Sequence, residues 1–207
     1  MIEYKNKNVL IIAPHMDDEV IGCSGTILKI RNRISKLVVV HMSDDEIRIK
    51  EFENVKRILN IDKHYRFGLQ DGFLNMSYKE TVIKLIKIIQ AEKINIIFIP
   101  HFADNHLDHR VTHKMAMDAI GKARYWKTQY NVCRVQDILE YEVWSFQENV
   151  SICVDISEFI ELKKQMMLSY ESQLDFDYVK YVEYCNGYRG LLFNKGGFTE
   201  CFNLKQI

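Results

Sequence analysis

The 207-residue sequence predicts an α/β protein with three layers, a mostly parallel sheet carrying helices on both faces. Three observations support this. Short apolar runs rich in β-branched residues alternate with segments of helical periodicity. The apolar runs are nearly continuous, as in strands buried on both faces, rather than alternating polar and apolar. Pro14 and Pro100, the only prolines, each close such a run, and no linker-like stretch interrupts the chain. A single domain over 1–207 is therefore expected.

The elements follow in order. "NVLIIAP" ends at Pro14 and reads as the first buried strand. Helical periodicity runs from about Asp18 to Arg33, with small Gly22, Ser24 and Gly25 near its start. "KLVVVHMS" is a second strand. "DDEIRIKEFENVKRILNI" is a helix whose acids Asp44, Asp45 and Glu46 suit the positive end of its dipole. "SYKETVIKLIKIIQAEK" is the clearest amphipathic helix: Val82, Leu85, Ile86 and Ile89 form one stripe, and Ser77 and Glu80 have capping-box spacing. "INIIFIP" is a third strand and "DHRVTHKMAMDAIGKA" the helix after it. Strands "ILEYEVWS" and "VSICVDIS", helix "EFIELKKQMMLSYESQ" and a last strand in "GGFTECFNL" complete the chain.

Composition narrows the function classes. Lys+Arg and Asp+Glu are both 28, so the net charge is +0 and no basic excess invites nucleic acid. The five cysteines are scattered with no C-x-x-C pair, which argues against a disulfide framework or thiolate zinc and for reduced thiols. "MIEYKNKNVL" lacks the apolar core of a signal peptide, and no segment has the length to span a bilayer. A cytoplasmic location is expected.

Two segments carry the chemistry. "PHMDDE" holds His15, Asp17, Asp18 and Glu19, and "PHFADNHLDHRVTH" holds His101, Asp104, His106, Asp108, His109 and His113. Five of the seven histidines fall in these windows, each just beyond the end of a predicted parallel strand, where α/β folds bind ligands. A strand ending in so much acid needs a positive partner. Imidazole with carboxylate suits a divalent metal, held by part of "HMDDE" and completed by a histidine of the second segment. His109 and His113 have the i, i+4 spacing of a helical ligand pair, but Arg110 stands where a metalloprotease has its glutamate, so His113 is the weaker candidate. His41 and His101 sit at sheet edges and His64 has no supporting neighbours.

These residues resemble the PIG-L/LmbE-like zinc-dependent deacetylases. The family's first motif is similar to "PHMDDEVIGCSGTI", its second to "DNHLDHR", and weaker likenesses follow in order at "LQDGFL", "YEVWS", "VDIS", "YESQ" and "FTECF". Met16 departs from the family's usual proline. The resemblance implies a Rossmann-like deacetylase fold that hydrolyses the N-acetyl group of N-acetylglucosamine-type sugar conjugates. It implies His15, Asp18 and His109 as zinc ligands, Asp17 as general base, His106 as oxyanion donor and Asp108 as an acid orienting its neighbours. Fe²⁺, Co²⁺ or Mn²⁺ would also suit a His₂Asp set. Substrate contacts are expected from Arg48 and from Arg189 in "NGYRG", which reads as a Gly-rich loop, with stacking faces among Tyr125, Trp126, Trp144, Tyr184 and Tyr188. Hydrolysis of another amide or an ester, or a metal-containing binding protein without turnover, are the competing readings. Intact Asp17 and His106 count against the last.

Overall fold

The computed structural model describes residues 2–194 and 196–206. Its strands are β1 (Asn8–Ala13), β2 (Lys36–Ser43), β3 (Lys63–Leu69), β4 (Ile96–Pro100), β5 (Asp137–Tyr141), β6 (Ile152–Asp155) and β7 (Thr199–Gln206). They form one seven-stranded sheet in the order β3-β2-β1-β4-β5-β7-β6. The first five in that order run parallel, and β7 is antiparallel to both β5 and β6.

Alternation along β1 builds the two cores. Val9 and Ile11 point into one, with Val20 and Ile27 of α1 (Asp18–Ile30), Phe52 and Val55 of α2 (Glu46–Ile58), and Met166 of α5 (Ile160–Leu168). Leu10 and Ile12 point into the other, with Val82, Leu85 and Ile86 of α3 (Tyr78–Ala91) and Met115 and Ile120 of α4 (Leu107–Ala123). A strand of period two buried on both faces has to be apolar throughout, which is why "VLIIA" carries no polar residue. The chain runs outward from β1 through β2 to β3 and then returns to place β4 on the other side of β1. That reversal opens a crevice beyond the carboxyl ends of β1 and β4.

Some elements differ from the sequence reading. β3 was hidden because "KHYRFGL" is a half-exposed edge strand with no apolar run. Ser77 precedes α3 but makes no side-chain cap, since a short 3₁₀ turn over Leu74–Ser77 leads into the helix instead. "NGYRG" is not a loop. It lies within α6 (Tyr178–Phe193), whose glycines hid the helical pattern. A side chain at Gly190 would put its Cβ 2.0 Å from the Gly197 carbonyl oxygen, so the glycine admits the β7 approach against the helix.

Gly190→Ala should therefore destabilise by about 1–3 kcal/mol through forced backbone displacement. At about 2–4 °C per kcal/mol for a chain of this size, thermal melting should fall by roughly 2–12 °C. An unchanged melting temperature would show that the α6–β7 contact yields freely.

Candidate active site

The site assembles where β1 and β4 end. After Ala13 the chain turns sharply. Asp17 takes φ 137°, a region L-residues avoid. The turn persists because its polar groups are tied. The Asp17 carbonyl accepts the Val20 and Ile21 N–H groups that start α1, and the Asp17 N–H donates to Glu19 Oε2 at 3.1 Å. Glu19 is fully buried and also accepts from His41 Nε2 at 3.0 Å and the Tyr170 hydroxyl at 2.5 Å. His64 closes the chain through His41 Nδ1 at 2.8 Å. Met16, in the family's proline position, is 1% exposed, and its carbonyl accepts from Arg48.

Asp18 is the hub. Its Oδ2 accepts the His15 backbone N–H at 2.9 Å and lies 3.2 Å from both His15 Nδ1 and His109 Nε2. His15 Nε2 faces Asp71 Oδ1 at 3.1 Å and Asp108 Oδ2 at 3.3 Å. Asp108 Oδ2 also accepts the Gly72 N–H at 2.6 Å. His106 caps α4, its Nδ1 accepting from the Asp108 N–H, and its ring lies 5.0 Å from those of His15 and His109. Asp104 stands behind His109, with Oδ1 3.4 Å from its Nδ1.

These neighbours reset the proton affinities. Burial lifts the Asp17 carboxyl well above the usual carboxylate range, and repulsion from Asp18 adds to it. Burial opposes protonation of His109, yet Asp18 and Asp104 outweigh it and push its pKa up to about 9. Burial likewise opposes charge on His15, but Asp108, Asp18 and Asp71 hold its proton well above the ordinary imidazole range. Burial raises Asp18, and the two histidines overcome this and hold it far below. Asp71 falls to about 2 through its hydrogen bond from His15. His106 is lowered, first by burial and then by His109.

The donor set fits a divalent metal. The ligand atoms of His15, His106 and His109 lie within 4.8 Å of one another, as do those of His15, Asp71 and Asp108, so His15 is common to both sets. Both His109 nitrogens and Asp108 Oδ1 are buried without a well-aligned hydrogen bond. Asp18 Oδ2 is 3.2 Å from each flanking histidine nitrogen, close to the roughly 3.3 Å that separates donors bound at about 2.0–2.1 Å around tetrahedral zinc. The cleft has a volume of about 130 Å³ and is lined by Asp17, Asp18 and Asp71 against one guanidinium, Arg48. That excess of acid is what a dication neutralises.

The structure thus brings His15, Asp17, Asp18, Arg48, His106, Asp108 and His109 together. Arg48 Nη1 is 3.8 Å from Asp17 Oδ2, and its Nη2 donates to Gln173 at 2.5 Å. Arg189 is the exception. It is 6% exposed, forked onto Glu142, bonded to the Gln147 carbonyl, and absent from the cleft. Its helix, unrecognised in the sequence, carries it into that ion pair. His113 turns to Glu140 at 2.6 Å, and His101 to the Ser145 carbonyl at 3.0 Å. Of the five candidate aromatics, only Trp144 lines the cleft, joined by Tyr178. Asp71 and Tyr178 were missed. The likeness at "LQDGFL" was the one signal for Asp71, and Tyr178 had none.

Comparison with known proteins agrees with this geometry. The family described as PIG-L, GlcNAc-PI de-N-acetylase, matches residues 10–120. A diacetylchitobiose deacetylase of Thermococcus kodakarensis is 25% identical over 193 residues, spanning 83% of this chain and 72% of that protein. The solved N,N'-diacetylchitobiose deacetylase of Pyrococcus horikoshii, complexed with its inhibitor, has a TM-score of 0.85 at 26% identity, covering 97% of this chain and 84% of its own. A conserved protein of Thermus thermophilus has a TM-score of 0.84 at 26% identity, covering 95% of this chain and 93% of its own.

Two predictions separate the roles. His109→Ala should abolish tight metal binding in equilibrium dialysis, whereas His106→Ala should keep it and lose about 10²–10³ in turnover. Loss of metal from both variants would make His106 a ligand. The second concerns pH. Without metal, His109 has its pKa raised to about 9, against about 6.5 unfolded. Its contribution to stability is complete below about pH 6.5 and is lost as pH climbs through about 9. His15 and Asp17 are raised in the same direction. Melting in the presence of a chelator should therefore fall across that window, and saturating zinc should flatten the slope because ligation displaces the protons. A rise across the window would contradict the arrangement.

Proposed function

The chain belongs to the PIG-L family, and from that premise we propose that it is a metal-dependent hydrolase removing the N-acetyl group from an N-acetylglucosamine-type sugar conjugate, with zinc as the metal. One observation carries the assignment: a buried carboxyl lifted well above the usual carboxylate range by burial, Asp17, stands beside a His/Asp cluster and an imidazole at a helix cap. His15, Asp18 and His109 would hold the ion. When bound, it would polarise the amide carbonyl and lower the pKa of water from 15.7 to about 7.

The remaining work falls to the chain. Asp17 accepts the proton of the attacking water, for which a raised carboxyl is suited, and delivers it to the departing amine. His106 donates to the oxygen that becomes negative as the carbonyl turns tetrahedral. Its Nδ1 is engaged with the Asp108 N–H, which orients the ring. Asp108 in turn braces His15. Arg48 and Asp71 stand in the cleft as donor and acceptor for sugar hydroxyls, and Trp144 and Tyr178 supply apolar ring surface. Acetate and a free amino sugar leave. The whole of 1–207 acts as one domain in this reading, and its free cysteines suit a cytoplasmic setting. Among the described residues no helix is long and apolar enough to cross a membrane.

Asp17→Asn should keep its metal and lose about 10²–10⁴ in acetate release from N-acetylglucosamine conjugates. A variant with full turnover would remove Asp17 as the base.

A further inference from the structure

Two thiols meet at the edge of the sheet. Cys153 on β6 and Cys201 on β7 are directly opposite partners in the antiparallel pair, and their sulfurs stand 3.7 Å apart. They lie 48 positions apart in the chain, so the strand register alone brings them together.

The position suits a covalent bond. The Ile156 N–H donates to the Phe198 carbonyl at 2.8 Å, one register step beyond Asp155 and Thr199. Hydrogen-bonded pairs therefore recur by twos, at Val154–Glu200 and Ile152–Phe202. Cys153 and Cys201 fall between those pairs. At such a non-hydrogen-bonded position the Cα atoms approach to about 4.5 Å and the side chains are closest. Disulfides bridge Cα separations of roughly 4.4–6.8 Å, so side-chain rotation can bring the sulfurs to about 2.0 Å without backbone movement.

The two thiols differ in access. Cys153 is exposed, whereas Cys201 is 3% exposed. Burial holds the Cys201 thiol above its ordinary pKa, and the adjacent Cys153 adds to the effect. An external reagent therefore meets Cys153 first, and Cys201 stands ready to resolve the product.

A link here joins two holds on the helix that carries Asp18. β6 is only four residues long and forms the outer edge of the sheet, next to β7. Strands so lightly held are the first to open. Yet both strands grip α1. On β7, Glu200 beside Cys201 takes the Gly25 and Thr26 N–H groups. At the end of β6, the Asp155 carbonyl accepts from Lys29 at 2.7 Å. Ile156 packs so near Gly25 that a Cβ there would lie 2.8 Å from its side chain.

We propose that Cys153 and Cys201 are a reversible modification site, closing under oxidising conditions to a disulfide that staples β6 to β7 and stiffens the hold on α1. The oxidant is a low-molecular-weight disulfide. The Cys153 thiolate attacks one of its sulfurs, and the first small thiolate leaves. Cys201 then attacks the Cys153 sulfur of the mixed disulfide, its proton passing to the second departing thiolate. Two protein thiols are oxidised, and one small disulfide is reduced to two thiols. The staple stands independently of the deacetylase reading.

The test incubates the reduced protein with excess oxidised glutathione, quenches with acid, and follows thiol titration, peptide mapping and thermal melting. Wild type should lose two of its five free thiols and yield one linked peptide pair containing Cys153 and Cys201. Its melting temperature should rise by about 5 °C or more, and dithiothreitol should reverse both changes. Cys153→Ser, an exposed substitution, should fold normally, lose no thiols and show no rise, whereas Cys185→Ser should still close the bridge. Five thiols retained, glutathione left on Cys153, or a bridge to Cys185 or to a second copy of the chain would each overturn the site. A Cys153–Cys201 bridge with unchanged melting would overturn the stiffening.

Discussion

Everything in the site depends on a single carboxylate oxygen, Asp18 Oδ2. It receives the His15 backbone N–H and stands between the imidazoles of His15 and His109. One partner lies in its own turn, after β1, and the other lies on α4, after β4. These strands are neighbours in the sheet but more than 80 residues apart in sequence. The oxygen therefore couples the register of β1 against β4 to the chemistry. A slip of one residue would reverse the faces of the strand and separate the pair. The apolar strands are thus a positioning device, since burial of Val9 and Ile11 on one face and Leu10 and Ile12 on the other allows only one register.

Holding so many acids out of water is unfavourable, and the surrounding structure answers with fixed partners. Glu19 is locked among the Asp17 N–H, His41 and Tyr170. Further along α1, the buried Glu200 carboxylate takes the Gly25 and Thr26 N–H groups at 2.9 and 2.7 Å, while Lys163 bridges Glu200 and the Ile21 carbonyl at 2.7 Å each. An ion pair so placed has no clear advantage over apolar packing for stability alone. Its effect is to fix the helix that carries Asp18, from β7 and α5, at a point where small residues leave backbone groups within reach. The turn before α1 is thereby held by Glu19 and the helix after it by Glu200 and Lys163, so the strained Asp17 conformation is kept rather than relaxed.

The legibility of the molecule follows from the same physics. Histidine and acid clustered just past apolar strands are a donor set suited to a divalent metal, so "PHMDDE" and "DNHLDHR" stand out in the sequence alone. Alternation of buried strands and helices was equally plain. β3 was not, because an edge strand needs only one sheltered face and "KHYRFGL" has no apolar run. α6 was not, because Gly187 and Gly190 read as a turn, whereas Gly190 is dictated by the close approach of Gly197. That error misplaced Arg189, since side-chain direction cannot be read before its element is known. Asp71 escaped for a related reason: it follows the unrecognised β3, and apart from the weak likeness at "LQDGFL" nothing distinguishes a turn aspartate from one aimed at His15.

The placement of cations shows what the cleft selects. Among the described residues Arg48 is the one lysine or arginine that lines it, and its Nη1 is shared between the Met16 carbonyl and the Asp17 carboxylate. With a dication added, the site would be near neutrality, leaving little positive potential for a phosphate or other anion. Trp144 and Tyr178 add ring surface beside these polar groups, so contacts there are directional or apolar. Such contacts are individually modest, so discrimination needs area, and a 130 Å³ cleft offers little. Asp104 stiffens the wall of that cleft by taking the His106 and Trp144 N–H groups on its two oxygens. Against a wall so fixed, binding energy from a remote part of a substrate can be used to orient the bond that breaks.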